Sequence, residues 1–413
     1  MMRVLHDDAR TDSLSSPPLE RFADLIVEFG ANVQQGQVVA VSSEPGKEPL
    51  TRAVADSAYR HGAKFVDVQY FDMHVKRSRI LHAADDTLDY VPSWYGGRIL
   101  ALGDQRCARI GLSGAVAPGL LDGLDPARAG RDQLPFVRET GIVVNAATTN
   151  WTISPCPTAG WAQQVYPDLD RGPALARLWD RVVHVCRLDE EDPKAAWSAR
   201  IDDLVSVAAR LTAHRFSELH FEGPGTDLHI GLLPTSQWIC ASFDTVDGIR
   251  HMPNLPSEEV FSAPDPQRVD GVVAATKPLD LQGTIVKGLR VHFADGRVTQ
   301  IDADANADAL RARVALDDGA SRLGEVALVD RQGRIGPLDT VFYDTLLDEN
   351  AASHVALGNA YAFCVDEPDK PRLNTSGIHI DFMIGSSDVA VTGVTDAGER
   401  VSVLRGGDWQ LAS

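Results

Sequence analysis

The strongest constraint on the fold of this chain is a change in its residue pattern near Phe216. Before that point, short apolar runs typical of buried strands alternate with segments whose apolar residues recur every three or four positions, as in helices. After it, apolar and polar residues alternate in runs separated by turn residues such as Asp295-Gly296. The first pattern favours a mostly parallel sheet with helices on both faces, and the second favours antiparallel hairpins.

We therefore predict an α/β fold in two domains, because 413 residues exceed what one hydrophobic core usually serves. A polar leader (1–15) precedes an N-terminal doubly wound, mostly parallel sheet domain (16–213) and an α+β C-terminal domain (214–413). The predicted N-terminal helices are "PPLERFADLIVEFGANV" and "PLTRAVADSAYRHGAK", and the predicted strands are "QVVAVSSEPG", "FVDVQYFD", "ARIGLSGA", "GIVVNAAT" and "VVHVCRLD".

The charge and the cysteines restrict partners and location. The net charge is −19, which disfavours binding to nucleic acid or to an anionic membrane surface. No apolar run is long enough for a membrane span, and the N-terminus lacks the apolar segment of a secretory signal. The five cysteines are scattered and never form a CxxC pair, which indicates reduced thiols and a cytoplasmic location.

Common catalytic signatures are missing from the sequence. It contains no HExxH, GxSxG or GxxxxGK[ST] motif, and the GxG of "GPGTDL" stands in a predicted hairpin, not between a strand and a helix. A dinucleotide-dependent or ATP-dependent enzyme is therefore disfavoured.

Groups that can bind metals concentrate in the C-terminal half. In "NTSGIHIDFMIGS", His379 and Asp381 would share one face of a strand whose other face is apolar. Such a pair is costly to bury unless it binds a metal or forms an internal ion pair, and the segment alone does not choose between them. Three more segments contribute candidates: "NLPSEEVFSAP" with Glu258 and Glu259, "LGEVALVD" with Glu325, and "DENAASHVALGNAY" with His354 and Tyr361.

We predict that the last of these segments, residues 348–361, is a helix. His354 and Tyr361 would then lie two turns apart on one stripe. Gly358 between them either leaves room for a ligand or metal or allows close helix packing. Positions 348 and 350 supply N-terminal capping candidates, and none of positions 348–350 is assigned as a ligand.

Four blocks, "NLPSEEVFSAP", "GEVALV", "TLLDENAASHVALGNAY" and "IHIDFMIG", resemble the signature blocks of the M29 metallo-aminopeptidases, the group of aminopeptidases T and S. The N-terminal half is similar as well, in "GANVQQGQVV", "NWTISPCPTAGWAQQVYPD", "LWDRV" and "LDEEDPKAAW". Leu255 and Ser257 depart from the more usual Met and Thr of the first block.

The resemblance implies a homodimeric aminopeptidase that acts on a peptide or small amide. It implies two divalent ions, Zn, Co or Mn, held inside the C-terminal domain. Glu258 or Glu259 would transfer protons, and Tyr361 would be a ligand or a donor that stabilises the oxyanion. The implied metal ligands are Glu259, Glu325, His354, Tyr361, His379 and Asp381.

Other functions remain open at this point. A ring-cleaving dioxygenase resembling 2,5-dihydroxypyridine 5,6-dioxygenase would hold one Fe ion with His354, His379 and Asp381. A hydrolase of a non-peptide amide would use the same two-metal site, and a scaffold protein would bind no metal. The presence of the glutamates and the tyrosine favours two metals and hydrolysis.

Overall fold

The computed structural model describes residues 16–281 and 284–411. The predicted polar leader, residues 1–15, lies outside these described residues. Within them, none of the helices combines the length and the apolar character needed to span a bilayer.

Helices and strands alternate through the first half of the chain, as predicted. A π-helical turn (Ile26–Gly30) follows the first helix directly. The strands are β1 (Val38–Ser43), β2 (Phe65–Tyr70), β3 (Ala108–Ser113) and β4 (Trp151–Pro155), and the helices are α1 (Ser16–Leu25), α2 (Glu48–Arg60), α3 (Met73–His82), α4 (Ser93–Asp104), α5 (Pro126–Arg131), α6 (Arg138–Asn145), α7 (Ala159–Val165), α8 (Arg171–Val185) and α9 (Pro193–His214).

Two of the strands predicted for the first half are wrong. Residues 141–145 lie in α6 and residues 182–185 lie in α8. In α8, Leu178, Val182 and Val185 are buried at helical spacing, and a short apolar run fits such a helix face as well as a buried strand. The sequence pattern also misses β4, in which Thr152 and Ser154 are buried polar residues.

The first sheet has the strand order β2-β1-β3-β4, and every neighbouring pair is parallel. The predicted parallel sheet is confirmed. Asp344, from the second half of the chain, docks at the carboxyl end of β3. Its carboxylate accepts the Gly114 N–H at 2.9 Å and lies 3.3 Å from Ser113 Oγ. The segment that follows Asp344 is therefore anchored to this sheet.

The second half consists mainly of antiparallel strands. Its strands are β5 (Phe216–Gly223), β6 (Thr226–Leu232), β7 (Ile239–Cys240), β8 (Phe243–Asp244), β9 (Arg250–His251), β10 (Glu259–Ser262), β11 (Pro264–Ala274), β12 (Leu279–Leu281), β13 (Thr284–Val286), β14 (Arg290–Ala294), β15 (Arg297–Asp302), β16 (Leu323–Val329), β17 (His354–Gly358), β18 (His379–Met383), β19 (Ala390–Thr395), β20 (Arg400–Arg405) and β21 (Asp408–Trp409), and its helices are α10 (Ala307–Val314) and α11 (Thr345–Glu349).

The larger sheet of this half has the order β15-β14-β11-β6-β5-β19-β20-β21. The predicted hairpins, β5 with β6 and β14 with β15, are confirmed. Asp295 and Gly296 connect β14 to β15 with φ of +49° and +76°. Positive φ at both central residues is the conformation of a type I′ turn, which matches the twist of the paired strands.

A second antiparallel sheet, of order β18-β17-β16-β10-β7, has two chemically different faces. Val260, Val326, Val355 and Phe382 belong to the hydrophobic core that this sheet shares with the larger one. Because side chains alternate along a strand, the residues between them point to the opposite face. That face carries most of the candidate metal ligands.

The predicted helix over residues 348–361 is wrong. Helix α11 ends at Glu349, and the strand β17 pairs with β16 on one side and β18 on the other. The two neighbouring strands provide the backbone hydrogen bonds that a helix would have made internally. Gly358 has φ +106°, and a Cβ there would lie 2.1 Å from the carbonyl oxygen of Ile378. The glycine is therefore required by the close approach of β18.

Candidate metal centre

Four adjacent strands bring the metal-capable residues of separate sequence blocks together. Glu259 lies on β10, Glu325 on β16, His354 on β17, and His379 and Asp381 on β18. Their strands are neighbours in the order β10, β16, β17, β18, so the side chains form a row across one face of the sheet. The shared face of the two β18 residues is as predicted.

The ligand atoms of this row lie close to one another. His354 Nε2 is 3.1 Å from Glu259 Oε2 and 3.5 Å from Glu325 Oε1. His379 Nε2 is 3.5 Å from Glu325 Oε2 and 3.4 Å from Asp381 Oδ1. Glu325 therefore offers one oxygen to each histidine.

Both histidines are oriented by backbone carbonyls. His354 Nδ1 lies 3.1 Å from the Glu349 oxygen and 3.2 Å from the Ala352 oxygen, and His379 Nδ1 lies 2.8 Å from the Asn359 oxygen. Each Nδ1 thus donates its hydrogen to a carbonyl. In the neutral imidazole the lone pair then belongs to Nε2, the atom that faces the carboxylates, as in many metal-binding histidines.

The residues present fit a divalent cation. Two groups of ligand atoms, one from Glu259, Glu325 and His354 and the other from Glu325, His379 and Asp381, each lie within 4.8 Å of one another. Glu259 Oε2 and Asp381 Oδ1 are buried and accept no well-aligned hydrogen bond from the described residues. Buried carboxylate oxygens normally have partners, and a set of carboxylates and imidazoles suits Zn, Co or Mn.

The cluster also shifts its own pKa values. Burial raises the pKa of Glu325, although the hydrogen bond with His354 opposes the shift. Burial would lower the pKa of His379, but Asp381 and Glu325 outweigh it and raise that pKa to about 10. The pKa of His354 rises well above its usual range, because Glu259 and Glu325 outweigh burial. A cation that binds these histidines must therefore displace protons from them.

Tyr361 follows β17 and stands beside the row of ligands. Its ring centroid is 5.2 Å from that of His379 and 5.2 Å from that of Phe363, and it meets Phe261 edge-on at 6.1 Å. Burial, and then the charges of neighbouring carboxylates such as Glu325, raise its pKa well above the usual range. The phenol is therefore neutral at physiological pH and keeps a hydrogen to donate.

Glu258 is not brought into the row. Consecutive residues of an extended chain point in opposite directions, and Glu258 points away from Glu259. Its fully buried carboxylate is bound by Arg187 at 3.0 Å and by Arg200 at 2.6 Å. Its surroundings are those of a buried ion-pair network.

A further carboxylate, Glu349, lies beside the row although no ligand was assigned among positions 348–350. It is buried, and one of its oxygens lies within 4.8 Å of the ligand atoms of His354 and Asp381. Asn254 Nδ2 donates to Glu349 Oε1 at 3.0 Å. Burial, followed by the charges of Asp381 and Glu259, raises the pKa of Glu349 well above its usual range. The available sequence signal is the acidic pair Asp348-Glu349 in the same block as His354.

The residues on either side of Glu349 do not cap a helix over 348–361, contrary to the prediction. The Asp348 carboxylate accepts the backbone N–H groups of Phe342 and Asp344, at 3.0 and 3.3 Å. Asn350 Oδ1 accepts the N–H of Glu258 at 2.6 Å. The Asp348 bonds hold this segment against Asp344, which docks on the first sheet, and the Asn350 bond ties it to Glu258, the residue before β10.

Comparison with known proteins identifies the family of this chain. The model of the thermophilic metalloprotease (M29) family matches residues 15–409. The chain belongs to this family. The resemblance stated from the four sequence blocks is thereby confirmed.

Members of the M29 family that are similar to this chain include aminopeptidase T of Thermus thermophilus, 40% identical over 95% of this chain and 98% of that protein. Aminopeptidase 2 of Geobacillus stearothermophilus is 34% identical over 95% of this chain and 97% of that protein. The solved structure of wild-type AmpT from Thermus thermophilus superposes with a TM-score of 0.85 at 38% identity, over 96% of this chain and 99% of that one. The expected aminopeptidase class is thus confirmed at the level of the family, and the dioxygenase alternative is not favoured.

Proposed function

We propose that this chain is a metal-dependent aminopeptidase that removes the N-terminal residue of a peptide with the help of two divalent ions. The observation that carries the two-ion proposal is the position of Glu325, whose two oxygens face two different histidines. One ion would be held by Glu259, Glu325 and His354, and the other by Glu325, His379 and Asp381. When bound, such ions act as Lewis acids that activate a water and polarise the peptide carbonyl.

The chain's own residues would control the protons. Asn254 Nδ2 donates a hydrogen bond to Glu349 Oε1, which leaves Glu349 Oε2 for proton transfer. We propose that Oε2 takes a proton from the water and passes it to the leaving amine nitrogen. The neutral phenol of Tyr361 would serve as a ligand or donate its hydrogen to the developing oxyanion. Of the two adjacent glutamates, Glu259 remains the proposed metal ligand. Glu258 would instead hold β10 in place through its two arginines.

The division of the chain and its assembly are also proposals. We place the domain boundary near residue 213, where the parallel sheet and its helices give way to antiparallel strands. We propose a homodimer, supported by the edge strand β2 and helix α4, which expose Phe65, Tyr70 and Trp94. A cytoplasmic location is supported by the five unpaired cysteines.

Metal content and hydrolysis together test the function. We expect about two Zn, Co or Mn ions per chain, and release of p-nitroaniline from Leu-p-nitroanilide that EDTA abolishes and added metal restores. If a metal-loaded sample left a panel of N-terminal peptides intact, the aminopeptidase proposal would fall. Cleavage of small amides but not of peptides would favour the non-peptide alternative. A single oxygen-sensitive iron would favour the dioxygenase.

A further inference from the structure

A cavity of about 220 Å³ lies between the segment 144–151, the strands β7 to β9 and Phe363. It is smaller than a site for a drug-sized ligand and suits a single side chain. Its wall combines apolar side chains with four polar residues, Thr149, Ser242, Asp244 and His251. The apolar part of the wall includes Trp151, Ile239, Phe243 and Phe363.

This cavity adjoins the metal-binding face of the sheet. Ile239, in its wall, is directly opposite Phe261 in the pairing of β7 with β10, so the two side chains share a face. Phe261 is two residues after Glu259 and therefore points to the same side as that proposed ligand. The cavity thus continues the metal-binding face beyond β10.

The separation from the metal centre selects which part of a peptide can reach the cavity. Ring centroids are 5.2 Å apart from His379 to Tyr361, and again 5.2 Å apart from Tyr361 to Phe363 in the cavity wall. An extended peptide advances about 3.3–3.6 Å per residue, so these two steps together cover at most roughly three residues. A side chain of the second or third residue of a peptide is therefore within reach of the cavity.

Two polar atoms in this cavity have no hydrogen-bond partner among the described residues: Thr149 Oγ1 and His251 Nε2. The two residues are only 1% and 4% exposed. His251 Nδ1 lies 3.4 Å from the Ile249 carbonyl and donates to it, so Nε2 carries the lone pair. Burial lowers the pKa of His251 to about 4, so the ring is neutral at pH 7. Buried polar atoms of this kind call for a partner that both donates and accepts.

We propose that this cavity is a subsite for a tyrosine side chain at the second or third residue of the peptide substrate. The ring would lie against Phe243 and Phe363, and the hydroxyl would donate to His251 Nε2 and accept from Thr149 Oγ1. The inference rests on the proposed aminopeptidase function. It adds a specificity-determining pair, Thr149 and His251, on the leaving-group side of the scissile bond.

The test measures kcat/KM for leucine release from Leu-Tyr-Gly and Leu-Gly-Tyr, each against its phenylalanine counterpart. We expect the metal-loaded wild-type enzyme to prefer tyrosine by about 10-fold in one of the two positions, because a phenyl ring leaves both polar atoms without a partner. Thr149→Val and His251→Phe should each bring the ratio of tyrosine to phenylalanine close to one. The matched control Thr299→Val, an exposed threonine on β15, should keep the wild-type ratio.

Other results would overturn the inference. Equal rates for tyrosine and phenylalanine in the wild type, or an unchanged preference in Thr149→Val, would show that the two atoms do not recognise a hydroxyl. A preference that appeared only between Tyr-p-nitroanilide and Phe-p-nitroanilide would assign the cavity to the N-terminal residue. In these cases hydrolysis of Leu-p-nitroanilide by the wild type would leave the aminopeptidase proposal standing. If the wild type cleaved neither this compound nor the peptides, both proposals would fall.

Discussion

Glu258→Gln and Glu349→Gln form a pair of substitutions that separates structural support from chemistry. Both replace a buried carboxylate by an amide of the same shape. Glu258 is bound by Arg187 and Arg200, whereas Glu349 lies beside His354 and Asp381. We expect the first substitution to lower stability and the second to lower the rate.

The size of the first effect follows from the ion-pair network. Removing one partner of a buried ion pair costs about 3–5 kcal/mol, because the remaining charge stays buried. Arg200 keeps its second partner Asp330 at 2.8 Å, and the new amide oxygen can still accept a hydrogen bond. The lower end, about 3 kcal/mol, is therefore expected for Glu258→Gln. A large domain loses roughly 2–4 °C of melting temperature per kcal/mol, so the midpoint should fall by about 6–12 °C.

The second effect is catalytic. An amide cannot carry a proton, and loss of a general acid–base group typically costs about 10²–10⁴-fold in rate. Glu349→Gln should therefore reduce kcat for Leu-p-nitroanilide by that factor while the metal content per chain stays that of the wild type. The amide has the shape of the carboxylate, and its oxygen can still accept from Asn254 Nδ2, so the melting temperature should stay close to that of the wild type.

The assays are thermal unfolding followed by fluorescence, metal content per folded chain, and kcat per metal-loaded molecule. The assignment is refuted if Glu258→Gln melts like the wild type and loses more than about 100-fold in kcat with both metals bound. A loss of one metal from Glu349→Gln would likewise contradict its role as a proton carrier and make it a ligand.

Three further predictions concern other parts of the site. His379→Ala should lose metal and activity but keep the wild-type mass in light scattering, and full activity would exclude this residue as a ligand. Gly358→Ala should destabilise the chain by more than about 2 kcal/mol, because the φ of +106° is unfavourable for alanine and the new Cβ would meet the carbonyl of Ile378. An unchanged melting temperature would contradict this prediction. Burial lowers the pKa of His251 to about 4 in the folded state, whereas the unfolded chain has a histidine pKa of about 6.5. Protonation therefore favours the unfolded chain, and the free energy of unfolding decreases as the pH falls from about 6.5 to about 4. In urea titrations over that range, His251→Phe should therefore lose about 3 kcal/mol less than the wild type, and parallel pH profiles would refute the assignment.

Patterns that depend on neighbouring residues were predictable from the sequence. The alternation of β18 places His379 and Asp381 on one face whatever the rest of the fold, and the structure agrees. The Asp295-Gly296 hairpin follows from residues that tolerate positive φ. The parallel sheet follows from the alternation of strands and helices in the first half.

Patterns that depend on distant partners were not predictable. The segment 354–358 is a strand because β16 and β18 flank it, and its small apolar residues are compatible with a helix as well. The apolar run at 182–185 is part of a helix because α8 buries one face. Local propensity is a weak guide where tertiary contacts supply the hydrogen bonds and the burial.

The sequence by itself indicated the family, through four blocks that resemble its signature, and supplied the residue types of the candidate metal centre. Only the tertiary structure showed which carboxylates lie beside the two histidines. Glu258 and Glu259 are chemically identical, and the direction of the chain at β10 sends one to two arginines and the other to His354. Glu349 lies beside His354 and Asp381 in a segment that Asp344 anchors to Gly114, more than 200 residues away in the chain, and no local pattern encodes this contact.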